Sequence, residues 1–121
     1  MLSVIVPCFN EEKLIKKSIL EIFKALKICK ISKYEIIIID DGSEDKSYII
    51  SKKLINKYKN IKIIKNKKNR GIGYNFFKGV SVSRQKYLIQ IPADNSHPAK
   101  EICKILKFIN KKYDLVTTYY S

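Results

Sequence analysis

Apolar residues follow two alternating rhythms along this chain. Short solid runs (VIV at 4–6, IIII at 36–39, IKII at 61–64 and YLIQI at 87–91) alternate with longer stretches in which they recur every three or four positions. The solid runs predict strands at 2–7, 34–39, 61–65 and 86–91, with a fifth at 113–119. The strand at 34–39 reads as apolar throughout, of the kind buried on both faces of a parallel sheet. The spaced stretches predict helices. Leu14, Ile15, Ile19, Ile22, Phe23 and Leu26 form the stripe of a first helix, with Lys16, Lys17 and Lys24 opposite. Asn10 is placed to cap that helix, with Glu11 and Glu12 in its first turn. Ser43 is the expected cap of a second helix over 44–58, carrying Ile50, Leu54 and Ile55 inward. A turn at 69–73 leads into a third helix bearing Phe76, Phe77 and Val80. Ser96 or His97 caps a fourth, with Pro98 in its first turn and Ile102, Cys103, Ile105, Leu106 and Ile109 on its inner stripe. The order βαβαβαβαβ predicts an α/β fold with a mostly parallel sheet and right-handed crossovers.

The 121 residues suit one domain, burying about two-thirds of the unfolded surface. No stretch approaches the roughly 18 apolar residues of a membrane span. The N-terminus has no basic leader or cleavage site, so no signal peptide is expected and the first strand begins at once. Cys8, Cys29 and Cys103 are odd in number and far apart, which suggests free thiols in a reducing compartment rather than disulfides or a zinc site. The net charge of +14 allows binding to nucleic acid or an anionic membrane. Yet only Arg70 and Arg84 among the 25 basic residues are arginines, and base-reading proteins lean on arginine. The richness in Lys, Ile and Asn reads in large part as A/T-biased codon use.

Candidate chemistry gathers at two strand ends. Asp40-Asp41-Gly42-Ser43 follows the isoleucine run, and Asp94-Asn95 follows the fourth strand after Pro92-Ala93. In an open α/β sheet, ligands bind outside the carboxyl ends of the strands. Carboxylates at two such ends suit a base and ribose at one and a metal-bound diphosphate at the other. A dinucleotide-binding dehydrogenase is excluded, because its glycine fingerprint should follow the first strand, where Pro7-Cys8-Phe9-Asn10-Glu11 stands.

Four segments in register, SVIVPCFNEE at 3–12, YEIIIIDDGS at 34–43, NRGIG at 69–73 and PADNSHP at 92–98, resemble the family 2 glycosyltransferases of GT-A fold. They are nearest to the branch that transfers sugars to polyprenyl or dolichyl phosphate. The resemblance covers essentially the whole chain and implies the nucleotide-sugar-binding part of such an enzyme. It implies that Pro7, Phe9 and Glu11 line the base. It further implies that Asp41, beside the Ile39 backbone, accepts a hydrogen bond from the ring N–H of uracil or guanine, that Asn69, Arg70 and Gly71 lie near the diphosphate or sugar, and that Pro92, Ala93, Asp94 and Ser96 complete the nucleotide site. Read without the resemblance, Phe9 suits a core or staple position, Glu11 a helix-start charge, and 69–71 a plain turn.

The family's metal motif is Asp-x-Asp, and here the first carboxylate is Pro92. Asp94 is then the expected ligand of Mg²⁺ or Mn²⁺, helped by Asn95 or Ser96, since Mg²⁺ is often held by one or two carboxylates plus phosphate oxygens and water. His97 suits a helix start better than a ligand. The implied reaction is inverting transfer from a UDP- or GDP-sugar to an acceptor such as a polyprenyl phosphate, in cell-envelope polysaccharide or glycolipid synthesis. It is expected in the cytoplasm, at the cytoplasmic face of a membrane with which the protein associates peripherally. The general base and the acceptor half are expected beyond Ser121. Two alternatives stand beside this reading: an inactive or partial nucleotide-sugar-binding module, and a basic protein that binds nucleic acid or membrane surfaces.

Overall fold

The structure is a computed structural model and describes residues 1–109, 111, 112 and 114–116. Its elements are β1 (Leu2–Cys8), α1 (Ile15–Ile28), β2 (Tyr34–Asp40), α2 (Ser47–Lys57), β3 (Ile61–Lys65), α3 (Ile72–Val82), β4 (Tyr87–Gln90) and α4 (Ala99–Leu106). The expected strand at 113–119 lies mainly outside the described residues. Asp114, Leu115 and Val116, which are described, are not in a strand.

The four strands form one sheet in the order β3-β2-β1-β4, and every pairing is parallel. This matches the α/β fold expected from the alternating pattern. The chain builds outward from β1 through β2 to β3, then returns to add β4 on the other side of β1. The direction of winding therefore reverses between β1 and β4, and at such a point two neighbouring loops leave in opposite directions and open a crevice.

Successive side chains of a strand point to opposite faces, and the two faces here are covered unequally. Leu2, Val4, Val6 and Cys8 of β1, with Ile36 and Ile38 of β2, pack beneath α1, α2 and α4 around Ile15, Ile19, Ile22, Leu54, Ile102 and Leu106. The opposite face holds a smaller cluster of Ile5, Ile37 and Ile39, against which Ile64, Val80 and Val82 pack. Helix α3 covers β1 and β2 on that side. It lies close because Gly79 faces Ile5: a Cβ there would stand 2.7 Å from Ile5 Cδ1. Leu88 of β4 remains exposed.

The strand at 34–40 is not apolar throughout, since Glu35 is buried within it. Its carboxylate accepts from Ser3 Oγ at 2.7 Å and from the Arg84 N–H at 2.6 Å, and it pairs with Lys62 at 2.8 Å. A buried charge must be paired and hydrogen-bonded to be tolerated, and here it ties the α3–β4 connection to the sheet. Burial alone would raise the pKa of Glu35, but the bonds from Lys62, Ser3 and Arg84 outweigh it and hold the carboxyl below its ordinary value.

At the far side of the larger core, Cys29 at the end of α1 meets Cys103 of α4 with 3.0 Å between the sulfurs. Burial first, and then the facing thiol, push Cys29 up to about 11, so little thiolate exists at neutral pH. Diamide should therefore cross-link Cys29 to Cys103, slowly at pH 7 and faster toward pH 9, while buried Cys8 keeps its thiol. Peptide mapping checks this, and failure of the pair to close at any pH would contradict the α1–α4 packing.

Candidate functional site

The loops after β1 and β2 interlock. Asn10 turns the chain with a φ of 52°. Its N–H donates to Ser43 Oγ at 2.9 Å, and its Oδ1 accepts from the Glu44 N–H at 2.9 Å. The Glu11 N–H donates to Ser47 Oγ, the Glu12 N–H to Asp45 Oδ2, and the Lys46 N–H to Glu12 Oε2. Two expected caps are thereby corrected. Asn10 does not cap α1, which begins at Ile15, and Ser43 does not cap α2, which begins at Ser47. Each side chain is engaged by the neighbouring loop. Glu11 and Glu12 accordingly precede the first turn of α1.

Asp41 is buried at the end of β2. Its Oδ1 accepts from Asn66 Nδ2 at 2.9 Å and the Arg70 N–H at 2.7 Å, and its Oδ2 accepts from the Gly71 N–H at 3.0 Å. Burial works against ionisation, but these bonds prevail and hold the carboxyl below its ordinary range. Asn66 Nδ2 also donates to the Oδ1 of buried Asn75 on α3 at 2.7 Å. Gly42, at φ 75°, lets the 66–71 segment close over the strand end: a Cβ there would lie 2.7 Å from the Lys68 carbonyl carbon. Asp40 is wholly buried, and one of its oxygens accepts from the Ser43 N–H at 3.3 Å. Burial pushes the adjacent Cys8 thiol up to about 12, which makes it an uncharged packing residue at neutral pH.

On the other side of β1, the chain beyond β4 continues the ladder. The Ile91 N–H donates to Ile5 O and the Ala93 N–H to Pro7 O. Pro92 falls between these two donors, where a parallel ladder asks nothing of its missing N–H. The Asn95 N–H donates to Ser18 Oγ at 2.7 Å. Asp94 is exposed, and its Oδ1 accepts from the Ser96 N–H and Ser96 Oγ. Ser96 Oγ also lies 3.0 Å from His97 Nδ1. The expectation that Ser96 or His97 caps α4 with Pro98 inside it is corrected: Pro98 holds the cap position, and Glu21 of α1 accepts the Ala99 N–H at 2.6 Å.

Between these two sides lies a cavity of about 260 Å³, opening at the β1/β4 reversal. Of the residues expected at the site, Pro7, Phe9, Glu11, Asp41, Asn69, Gly71, Pro92, Ala93 and Asp94 line it. Ile39, expected there through its backbone, is not in the lining, and its side chain is buried under α3. The Arg70 guanidinium lies 5.2 Å from the Tyr74 ring centroid and lines a neighbouring cavity. Ser96 is absent from the lining and bonds to Asp94. Cys8, Ile72 and Asn75 line the cavity without having been expected there. A polar residue on the inner stripe of α3, one turn before Gly79, was the available signal for Asn75. The carboxyl of Glu11 is raised above its ordinary value by burial first, then by Asp94 and Asp45.

A fit to a divalent ion rests on these acids. Asp94 keeps one oxygen without a described partner, and Glu11 shares its cavity and feels its charge. Among the described residues there is no group of three or more His, Cys, Asp or Glu that could hold a metal. The residues fit an ion that brings phosphate and water as its remaining ligands.

The family described as Glycosyl transferase family 2 matches residues 3–119. The chain is 37% identical over 117 residues to a dolichyl-phosphate beta-glucosyltransferase of Dictyostelium discoideum, covering 91% of the chain and 36% of that protein. It is 29% identical over 119 residues to a dolichol-phosphate mannosyltransferase of Saccharomyces cerevisiae, covering 98% and 45%. The chain thus spans less than half the length of these curated relatives. Among solved structures, S. aureus TarS in complex with UDP superposes with a TM-score of 0.68 at 26% identity, over 89% of this chain and 31% of that one. The mannosyltransferase PcManGT of Pyrobaculum calidifontis, in complex with GDP-Man and Mn²⁺, gives 0.75 at 18% identity, over 92% and 32%, a likeness of fold.

Asp41 should carry much of the local stability. Asp41→Ala leaves three N–H donors without their acceptor and should cost about 3 kcal/mol, measured by urea unfolding at pH 7. Because its folded pKa is depressed, the contribution is complete above the unfolded carboxyl value of about 4 and fades as pH falls through the folded value. The gap between wild type and variant should therefore narrow steadily below about pH 4. A gap constant from pH 7 to pH 2 would refute this role.

Proposed function

The chain belongs to glycosyl transferase family 2, and from that membership we infer that it forms the donor-binding part of an enzyme that moves a sugar from a nucleoside diphosphate to an acceptor. The observation that carries this reading is the crevice at the winding reversal, where Asp41, Glu11 and Asp94 meet in one cavity with Asn69 and Gly71. Phe9 offers an exposed aromatic face to a base. Asp41 lines the cavity, and its carboxyl, held below its ordinary value, can when ionised only accept, so it would take the ring N–H of uracil or guanine. Asn69 and Gly71 line the same cavity and would face the diphosphate.

Asp94 would hold a divalent cation, with Glu11 beside it, and the ion would neutralise charge developing on the diphosphate leaving group. Ser96 fixes the Asp94 carboxylate by two bonds to one oxygen and leaves the other for the ion. The cation would also relieve the repulsion between Asp94 and Glu11. The names of the relatives favour a polyprenyl or dolichyl phosphate as acceptor. Such a phosphate is already anionic at neutral pH and attacks the anomeric carbon without prior deprotonation, with inversion. A lipid acceptor places the reaction at a membrane face, in glycolipid or envelope-polysaccharide assembly. Among the described residues no helix is long and apolar enough to cross a membrane.

Pro92, standing where a second acid belongs, favours one further reading: a domain that binds the donor without turnover. Thermal unfolding with UDP, GDP and their sugar conjugates, with and without Mn²⁺, tests both. At about a hundred times the dissociation constant, ligand adds roughly 2.7 kcal/mol, a rise on the order of ten degrees. One nucleotide should produce it with Mn²⁺, and Asp94→Ala should lose it. Because the Pro92 nitrogen serves no ladder bond, Pro92→Asp should keep the fold and tighten Mn²⁺ binding several-fold, read by the electron paramagnetic resonance of the free ion. No nucleotide-dependent rise in either protein would refute donor binding.

A further inference from the structure

We propose that Cys29 and Cys103, with the lysine-lined cavity that opens onto Cys103, form a thiol–disulfide exchange site for a small anionic disulfide of the glutathione class. The two sulfurs lie 3.0 Å apart, with the Cys29 thiol donating to Cys103 and the Cys103 thiol directed at Ala25 O at 3.6 Å. Both residues are half-buried, whereas Cys8 is buried in the core. A cavity of about 550 Å³ between α1 and α4 reaches this pair. Cys103 is in its lining and Cys29 is not, so an incoming disulfide meets Cys103 first.

Charge selects the reagent. Lys24, Lys100, Lys104 and Lys107 line the cavity against one carboxylate, Glu21, which already accepts the Ala99 N–H. Lys104 pairs with Glu101, but Lys24, Lys100 and Lys107 have no ion pair among the described residues. A cleft lined by one sign of charge concentrates reagents of the other sign. In the first step the Cys103 thiolate attacks one sulfur of the reagent, the S–S bond breaks, and one thiolate leaves. In the second, Cys29 gives its proton to water and attacks the Cys103 sulfur, releasing the second thiolate. Two protein thiols are oxidised to one bridge, and the reagent is reduced to two thiols. Burial and the facing thiol push Cys29 up to about 11, so at neutral pH the second step is the slower and the mixed disulfide at Cys103 precedes the bridge. α4 is already tied to α1 at its start, by Asn95 on Ser18 and Ala99 on Glu21. The bridge would tie its later half covalently, so the segment that carries Asp94 would move only with α1. Its bearing on the ion site, though not its test, rests on the proposed transferase reading.

Three disulfides test the site: glutathione disulfide (anionic), hydroxyethyl disulfide (neutral) and cystamine (cationic), each followed by peptide mass mapping. Glutathione disulfide should modify Cys103 about tenfold faster than cystamine. Cys29→Ser should stop the reaction at one glutathionyl group on Cys103, and Cys103→Ser should leave Cys29 reduced over the same time. The ratio of the glutathione disulfide rate to the hydroxyethyl disulfide rate cancels any general change in thiol reactivity. Lys100→Gln with Lys107→Gln should lower that ratio about fivefold. Lys52→Gln with Lys53→Gln, an equal loss of charge on exposed positions of α2, should lower it less than about twofold. Equal falls from the two pairs, no adduct on Cys103, or equally fast modification of Cys29 in Cys103→Ser would overturn the exchange site. Once the bridge has closed, amide hydrogen exchange over 95–106 should slow about tenfold, and unchanged exchange would overturn the restraint on the Asp94 segment. Neither readout involves a nucleotide, so a chain that fails with nucleotides yet forms the bridge by this route refutes only the donor reading.

Discussion

One carboxylate, that of Asp41, draws together a strand end, the turn that follows β3 and the start of α3. A strand end, a turn thirty residues later and a helix meet because Asn66 and the backbone N–H groups of Arg70 and Gly71 point at its oxygens, and because Asn66 passes a further bond to Asn75. Donors held near a buried anion are worth about twice those near a neutral acceptor. The start of α3 is consequently fixed relative to β2 by charge-assisted bonds, and the crevice acquires a wall. Gly42 enforces the same geometry sterically, since no side chain fits between the strand end and the returning segment.

The sheet shows why the crevice forms where it does. β1 is one of its two inner strands, paired on both sides, and all its residues but Pro7 are buried. A strand so placed delivers the loop that follows it to the middle of the carboxyl edge. β2 and β4 then bring their acids from either side. The ladder past Gln90, through Ile91 and Ala93, carries the second acidic segment to the mouth of the cavity without any loop excursion.

Much of this was legible in the sequence. Solid and spaced apolar runs gave the strands and helices in their order, because burial on one face or two imposes those periods directly. The positions at the two strand ends came from the acids themselves and from the four family-like segments. Helix starts were read less well: Asn10 and Ser43 have the chemistry of caps, but their oxygens are claimed by partners that only the fold brings near, and the hydroxyl of Ser96 turns back to Asp94. The cap that α4 receives from Glu21 lies 78 residues away in sequence, beyond any local pattern. What Arg70 does in the described structure was not legible: its backbone N–H serves Asp41 and its guanidinium lies over Tyr74. Buried Glu35 escaped notice within an isoleucine run, since its partners Ser3, Lys62 and Arg84 come from three separate segments.

The interlock between the loops of Asn10 and Ser43 gives the crevice one stiff side and one compliant side. Reciprocal bonds join the two loops at several points along their length, so they move as a single plate. The segment around Asp94 is tied at single, separate points, through Ala93 to Pro7, Asn95 to Ser18 and Ala99 to Glu21. On such a frame, filling of the crevice would shift the acidic lip that would carry the ion sooner than the plate that would seat the base, and that plate would then serve as a fixed gauge of which base belongs there.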